Sequence, residues 1–149
     1  MRFVPFELER WQSTWENRVR YNLSESGVHP LSIQELLGLV TSKMRSGAMR
    51  GLVRASLEDA FDVVVGADDV THPKPHPEPV QVALERLGAS ASGAVFVGDS
   101  RHDLVSGRAA GVKTAAALWG PFDRSHLEDL APDYWLERPA DLSLLTVDD

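Results

Sequence analysis

Polar residues follow three apolar runs of this chain, and their types together suit phosphoryl chemistry. Thr41 and Ser42 follow the first run, Lys74 lies beyond the second, and Asp99 and Asp103 follow the third. Hydroxyl groups donate hydrogen bonds to phosphate oxygens, and an ammonium group neutralises charge on a phosphoryl group and its attacking carboxylate. Two carboxylates at i and i+4 suit one Mg²⁺ ion, which takes oxygen ligands. These residues therefore predict a site for a divalent cation and a phosphoryl group.

The elements that must position these residues alternate between strands and helices. Apolar periodicity and breakers predict strands at 36–41, 62–66, 94–97, 112–118 and, at an edge, 133–136; they predict helices at 46–55, 78–87, 104–110 and, briefly, 141–145. This alternation predicts a parallel sheet flanked by helices. Ligands of such sheets bind beyond the carboxyl ends of the strands, where the polar residues lie.

Composition excludes several classes of function. The chain has 149 residues, which suits one domain, and a net charge of −7, which argues against binding to a nucleic-acid backbone. It has no cysteine, no apolar run near the ~20 residues of a membrane span, and no signal-peptide pattern at its start. We therefore expect a cytoplasmic protein that binds a small phosphorylated molecule, with no nucleic-acid or membrane partner.

Three stretches of the chain resemble motifs two, three and four of the haloacid dehalogenase superfamily. They are Val-Thr-Ser-Lys at 40–43, Lys-Pro-His-Pro-Glu-Pro at 74–79 and Val-Phe-Val-Gly-Asp-Ser-Arg-His-Asp at 95–103. The order and spacing are also similar to those of the family, and the nearest branch is that of phosphoglycolate phosphatases and pyrophosphatases. The resemblance implies an α/β fold with a partial Rossmannoid parallel sheet, in which residues 37–149 form the C-terminal part of the core domain.

The resemblance also implies a role for each matching residue. Thr41 would bind the transferring phosphoryl group together with Ser42, and Lys74 would orient the nucleophile and the phosphate. Asp99 would ligate Mg²⁺, and Asp103 would be a direct or water-mediated ligand. The implied reaction is Mg²⁺-dependent hydrolysis of a phosphomonoester or of pyrophosphate.

The chain lacks two parts of the family pattern, which are motif one and the helical cap domain that this branch inserts between motifs one and two. Motif one is Asp-x-Asp after a central strand, where the first aspartate is the nucleophile, and no aspartate precedes Thr41. We therefore expect impaired hydrolysis. The neighbouring strands would also lose a partner, and unpaired buried backbone groups cost about 1–3 kcal/mol each. We expect direct pairing of those strands or replacement by an N-terminal piece.

Residues 1–36 are predicted to be a helical segment of different origin. Periodicity predicts a helix at 7–19 that breaks at 22–30, and residues 6–36 resemble the N-terminal arm of class I/II pyridoxal-phosphate aminotransferases. No cofactor lysine accompanies this resemblance, so it implies no transaminase activity.

Several alternatives remain open. Asp99 and Asp103 would serve only as helix caps if no metal binds, and His72, His76 and His102 occupy loop and helix-start positions that favour no transition-metal cluster. The chain would then be a non-catalytic remnant or an interaction protein, or a product of gene rearrangement joined near residues 36–38. An uncovered strand edge would favour pairing between chains as a homo-oligomer.

Overall fold

The computed structural model describes residues 37–145 and the backbone of residues 27–30. These described residues contain six strands in chain order: β1 (Gly27–Pro30), β2 (Gly38–Val40), β3 (Val63–Val65), β4 (Ala94–Gly98), β5 (Lys113–Ala117) and β6 (Tyr134–Leu136). They also contain three α-helices: α1 (Arg45–Arg54), α2 (Glu78–Leu87) and α3 (Arg101–Ala110). Short 3₁₀ turns lie at Ala67–Asp69, Arg124–His126, Glu128–Leu130 and Pro139–Leu144.

The strands form one sheet in the order β3-β2-β1-β4-β5-β6. β2 pairs in parallel with β3, and β4, β5 and β6 are parallel to one another. The predicted α/β fold with parallel strands and flanking helices is therefore confirmed. β6 lies at an edge, as predicted, and the parallel sets place the carboxyl ends of β2 and β4 at the same side of the sheet.

The centre of the sheet contains an antiparallel strand. β1 lies between β2 and β4 and is antiparallel to both. Four residues of β1 pair with β4, and two pair with β2. Val28 lies opposite Phe96 in β4 and opposite Gly38 in β2. Of the two expected solutions for the central position, replacement by an N-terminal piece is the one observed.

The segment that contains β1 lies mostly outside the described residues. β1 falls at the break that the sequence predicts at 22–30. The predicted helix at 7–19 and most of the stretch that resembles aminotransferases are not among the described residues. The division of the chain near residue 36 therefore stays a prediction.

The core lies on both faces of β4, which is buried along its whole length. Phe96 packs on one face with the apolar stripe of α2, including Val80 and Leu84. Val95 and Val97 point to the other face and pack in a second cluster with Leu136, Leu142 and Leu145. Successive side chains of a strand point to opposite faces, so a strand covered on both sides reads as a continuous apolar run.

Helix boundaries follow the local signals closely. α2 begins after Pro77 and ends at Gly88, which adopts the left-handed conformation with φ of 65°, as the sequence predicts. α3 begins at Arg101, a turn earlier than predicted, because Ser100 caps it. The last short helix is a 3₁₀ helix. No helix in the described part of the chain has the length and apolar character needed to cross a bilayer.

Candidate functional site

A pocket of about 250 Å³ opens at the carboxyl ends of β2 and β4. All five residues that the sequence analysis assigns to the site line it. The complete lining is Thr41, Ser42, Lys43, Lys74, Asp99, Ser100, His102 and Asp103. The structure therefore brings together residues that are separated by up to 62 positions in the chain.

Lys74 and Asp103 form a buried ion pair at the base of this pocket. Lys74 Nζ lies 2.7 Å from Asp103 Oδ1, and the two side chains are 6% and 3% exposed. Lys74 Nζ also donates to the carbonyl oxygen of Val40 at 3.3 Å, at the end of β2. The lysine thus ties the end of β2 to the first turn of α3 and brings a fixed positive charge to the pocket.

Asp103 is also part of the cap of α3. Ser100 Oγ donates to Asp103 Oδ2 at 2.6 Å, the amide of Ser100 reaches the same oxygen at 3.1 Å, and the amide of Asp103 donates to Ser100 Oγ at 3.3 Å. This reciprocal pattern is a capping box. The capping interpretation of Asp103 is therefore correct, and it holds at the same time as the placement of this residue in the pocket.

Two glycines allow the acidic residues to lie where they do. A Cβ atom at Gly98 would stand 2.1 Å from the Cβ of Asp103, and one at Gly120 would stand 2.4 Å from the Cβ of Asp99. Both distances are far shorter than any real carbon contact, so a side chain at either position would displace the aspartate. Gly120 lies 21 residues after Asp99 in the chain, and sequence reasoning missed it because a loop glycine shows no local sign of what it packs against.

Backbone hydrogen bonds fix the loop after β2. The amide of Thr41 donates to the carbonyl of Val65 at 2.9 Å, and the amide of Lys43 donates to Thr41 Oγ1 at 3.2 Å. Thr41 is buried, whereas Ser42 and Lys43 are exposed at the mouth of the pocket. The Thr41 hydroxyl therefore faces the backbone of the loop that lines the pocket.

The turn after β3 is hydrogen-bonded to the loop after β2. The amide of Arg45 donates to Asp68 Oδ1 at 2.6 Å, and the amide of Ala67 donates to the carbonyl of Lys43 at 2.9 Å. Asp68 is therefore a positioning residue that the sequence analysis did not identify. Asp68 and Asp69 are adjacent in the chain, so they lack the Asp-x-Asp spacing of motif one. Neither of them is among the residues that line the pocket.

Asp69 anchors the same turn through charge. Burial raises the pKa of Asp69, but the hydrogen bond from the amide of Gly66 and the guanidinium of Arg86 outweigh it and leave the pKa below its ordinary value. Asp69 Oδ2 accepts from Gly66 at 2.8 Å, and Arg86 Nη2 lies 2.9 Å from Asp69 Oδ1. Asp69 therefore stays ionised at neutral pH and keeps its contacts with Gly66 and Arg86.

The donor set of the pocket fits a hard divalent cation. Both carboxylate oxygens of Asp103 accept short hydrogen bonds from Lys74 and Ser100, and Asp99 lies half-buried among the pocket residues. Mg²⁺ uses one or two carboxylates and keeps several waters and a phosphate oxygen. The two carboxylates of the pocket therefore fit such an ion.

Comparisons with known proteins show which sequences are related to this chain. The profile of haloacid dehalogenase-like hydrolases matches residues 23–117. The pyrophosphatase PpaX of Bacillus cereus is 47% identical over 117 residues, and that of Bacillus anthracis is 46% identical over 123 residues. These matches cover 74% and 78% of this chain but only 54% and 57% of the relatives, so the chain spans about half of their length.

Solved structures give the same result. A haloacid-dehalogenase-superfamily hydrolase of subfamily IA from Geobacter sulfurreducens superposes with a TM-score of 0.62 at 32% identity, over 93% of this chain and 58% of that one. A Lactobacillus plantarum protein proposed to be a phosphoglycolate phosphatase gives 0.66 at 30% identity, over 73% of this chain and 52% of that one. The profile match alone includes 95 of the 149 residues. This chain belongs to the haloacid dehalogenase-like hydrolase family.

Proposed function

We propose that the pocket binds one Mg²⁺ ion and the phosphoryl group of a small molecule. The observation that carries this proposal is the convergence of Thr41, Lys74 and Asp99 on one pocket at the carboxyl ends of two strands. Hydroxyl, ammonium and carboxylate are the groups that a phosphoryl site needs. All three line the same pocket, so one ligand could contact them together. The substrate class we propose is a phosphomonoester or pyrophosphate, in keeping with the pyrophosphatase relatives.

Each residue has a separate task in this site. Thr41 and Ser42 donate hydroxyl hydrogen bonds to phosphate oxygens, and Lys74 offsets the negative charge from the base of the pocket. Asp99 would ligate the cation directly, and Asp103 would orient Lys74 and reach the cation through a water. When bound, the cation polarises the phosphoryl oxygens and screens their charge. Gly98 and Gly120 let both aspartates approach closely enough to do this.

Hydrolysis by this chain should be slow. The first aspartate of the 149 residues is Asp59, so no Asp-x-Asp motif precedes β2. The central position of the sheet, between β2 and β4, is held by β1, which carries Gly-Val-His-Pro. A covalent step on phosphorus needs an oxygen or nitrogen nucleophile in line with the leaving group. We assign the role of this nucleophile to none of the residues that the structure describes.

Two measurements test this proposal. Calorimetric titration should show Mg²⁺ binding that is strengthened by phosphate and lost in Asp99→Asn, whereas Asp59→Asn removes an exposed carboxylate away from the pocket and should leave binding unchanged. Assays with p-nitrophenyl phosphate and pyrophosphate should then give turnover far below that of the Bacillus relatives. Vigorous Mg²⁺-dependent turnover that Asp99→Asn abolishes would contradict the slow-hydrolysis part. Absence of any Mg²⁺ or phosphate binding would contradict the site itself.

The second candidate function is that of a non-catalytic protein that keeps the fold. The capping role of Asp103 favours it, since a capping box alone would account for the Ser-x-x-Asp spacing. The same titration separates the two candidates. Binding of Mg²⁺ and phosphate without turnover supports a binding protein, and a chain that folds but binds neither ligand supports a structural or interaction role.

A further inference from the structure

The loop between β3 and α2 gathers a second set of metal-binding groups outside the pocket. His72, His76 and Glu78 each offer one ligand atom, and these three atoms lie within 4.8 Å of one another. Nδ1 of His72 is 2.8 Å from Glu78 Oε2, Nδ1 of His76 is 3.9 Å from the same oxygen, and the two ring centroids are 4.6 Å apart. Among residues 37–145, no other three such side chains converge in this way.

Glu78 is held in place as a carboxylate. The amide of Thr71 donates to Glu78 Oε1 at 2.6 Å and the amide of His72 donates to Oε2 at 2.9 Å. The hydrogen bond from Thr71, followed by that from the His72 ring, lowers the pKa of Glu78 below its ordinary value. A fixed and ionised carboxylate is therefore present at neutral pH, and no ordering of a free side chain is needed before a cation binds.

The loop backbone is also anchored. The hydroxyl of Ser106, which is fully buried in α3, donates to the carbonyl of His76 at 2.7 Å. The amide of His76 donates to the carbonyl of Pro73 at 3.0 Å. These contacts hold the backbone of His76 while its side chain stays 49% exposed, and that of His72 is 63% exposed. Nδ1 of His72 is hydrogen-bonded to Glu78 Oε2, and Nδ1 of His76 accepts from the Glu78 amide at 3.2 Å. Both rings are therefore already directed toward Glu78, and a cation would replace these two hydrogen bonds.

We propose that His72, His76 and Glu78 form a binding site for a transition-metal dication of the Zn²⁺ type. Two imidazoles and one carboxylate are ligands that Zn²⁺ accepts, and imidazole is a poor ligand for Mg²⁺. With bonds of about 2.0–2.1 Å, tetrahedral ligand atoms lie roughly 3.4 Å apart. Rotation of the two exposed rings would widen the 2.8 Å spacing between His72 and Glu78 and shorten the 3.9 Å spacing between His76 and Glu78 toward that value, and a water would complete the coordination.

This site differs from the set of three histidines that the sequence analysis considers. That set is His72, His76 and His102, from which no metal cluster is expected, and in the structure His102 lines the pocket at the carboxyl ends of β2 and β4. Glu78 replaces it as the third group because the loop turns back onto the start of α2. Lys74 lies within this loop and extends its side chain inward to Asp103, so a metal on the outer side would hold in place the segment that supplies the pocket lysine.

The test is a calorimetric titration of the full chain with Zn²⁺ in a large excess of Mg²⁺, which fills the oxygen-ligand pocket first. One Zn²⁺ per chain should bind, and His72→Asn and His76→Asn should each weaken binding by at least about tenfold. His126→Asn is the matched control. His126 also pairs with a carboxylate, Asp123 at 2.6 Å, and is 60% exposed, but it belongs to no group of three metal-ligating side chains among residues 37–145.

Three results would overturn the proposal: no one-to-one binding, binding that survives both loop variants, or binding that His126→Asn weakens to the same extent. Nitrogen NMR of the imidazole rings in the unmodified chain gives a readout that does not depend on how well the variants fold. Zn²⁺ should shift the ring signals of His72 and His76 in the presence of Mg²⁺. A shift confined to His102 would assign the metal to the pocket and overturn the loop site.

Discussion

Lys74 Nζ donates to Asp103 Oδ1 across 2.7 Å, and both side chains are more than nine-tenths buried. The two residues come from different elements, a loop that follows β3 and the first turn of α3. Asp103 uses its other oxygen for Ser100, so the pair is embedded in a hydrogen-bonded network. Removal of one partner from a buried ion pair is strongly destabilising, because it leaves the other charge buried and uncompensated.

Lys74→Met should therefore lower the free energy of unfolding by about 3–5 kcal/mol, because it leaves the Asp103 carboxylate buried without its cation. Urea unfolding followed by circular dichroism and by tryptophan fluorescence measures this change, and the two transitions should coincide. The double variant Lys74→Met with Asp103→Leu should lose much less than the sum of the single variants, since it removes both charges.

An exposed pair provides the control for that cycle. Arg124 and Glu137 lie 3.2 Å apart, with side chains 50% and 65% exposed. Solvent screens such pairs, so a cycle built on Arg124→Met and Glu137→Leu should give a coupling below about 1 kcal/mol. Equal coupling in the two cycles would show that burial does not strengthen the pair in the pocket.

Gly98→Ala should destabilise the fold by about 1–3 kcal/mol or more, because the new methyl group meets the Asp103 side chain. The new Cβ would stand 2.1 Å from the Cβ of Asp103, and rotating a flexible chain end cannot relieve that contact. Gly51→Ala is the matched control, since a Cβ there meets nothing within 4 Å. This exposed site within α1 should gain about 0.5–1 kcal/mol from helix propensity. A loss at Gly51 as large as that at Gly98 would contradict the steric explanation.

Gly120→Ala should weaken Mg²⁺ binding by displacing Asp99 while leaving the sheet intact. Its added Cβ would stand 2.4 Å from the Asp99 Cβ and 2.7 Å from Oδ2. We expect a loss of about 10–100-fold in affinity, the range seen when a residue that positions a metal ligand is changed. Titration with Mg²⁺ measures it, with circular dichroism to verify the fold. Unchanged affinity in a folded variant would remove Asp99 from the metal site.

Val28→Pro should destabilise the chain because it removes an amide from a strand with neighbours on both sides. Val28 lies opposite Gly38 in β2 and Phe96 in β4. The lost hydrogen bond and the unpaired acceptor cost about 1–3 kcal/mol. Val28→Ala keeps the amide and is the comparison, so the loss for proline should exceed the loss for alanine in urea unfolding. Equal losses would argue against β1 as a central strand.

Asp69 should make stability depend on pH in the acid range. Its pKa is lowered in the folded chain, since the Gly66 amide and Arg86 outweigh the effect of burial. The carboxylate therefore contributes stability above the unfolded value near pH 4, and this contribution is lost as the pH falls through the lower folded value. The difference between the urea midpoints of the wild type and Asp69→Asn should shrink below about pH 4. A difference that stays constant across that range would exclude this origin.

Most strands and helices of the described region follow from the sequence because their signals are local. An apolar run such as Ala94–Gly98 predicts a strand without knowledge of its neighbours, and Pro77 and Gly88 mark the ends of α2 for reasons of backbone geometry. The pocket is also predictable to a large extent. Carboxyl ends of parallel strands meet at one side of a sheet, so Thr41 and Asp99 had to lie near each other once the strands were placed.

Other features depend on contacts between distant segments, which no local pattern specifies. Gly27–Pro30 has too few residues and too weak an alternation to predict a strand, and it becomes one because β2 and β4 offer unpaired backbone groups on either side. The antiparallel direction of β1, the packing of Gly120 on Asp99 and the meeting of His72 with Glu78 arise in the same way. The sequence by itself thus determined the elements and the chemistry at their ends. The tertiary structure decided which segment completes the sheet and which side chains form ion pairs, because strand pairing and burial are properties of the folded chain as a whole.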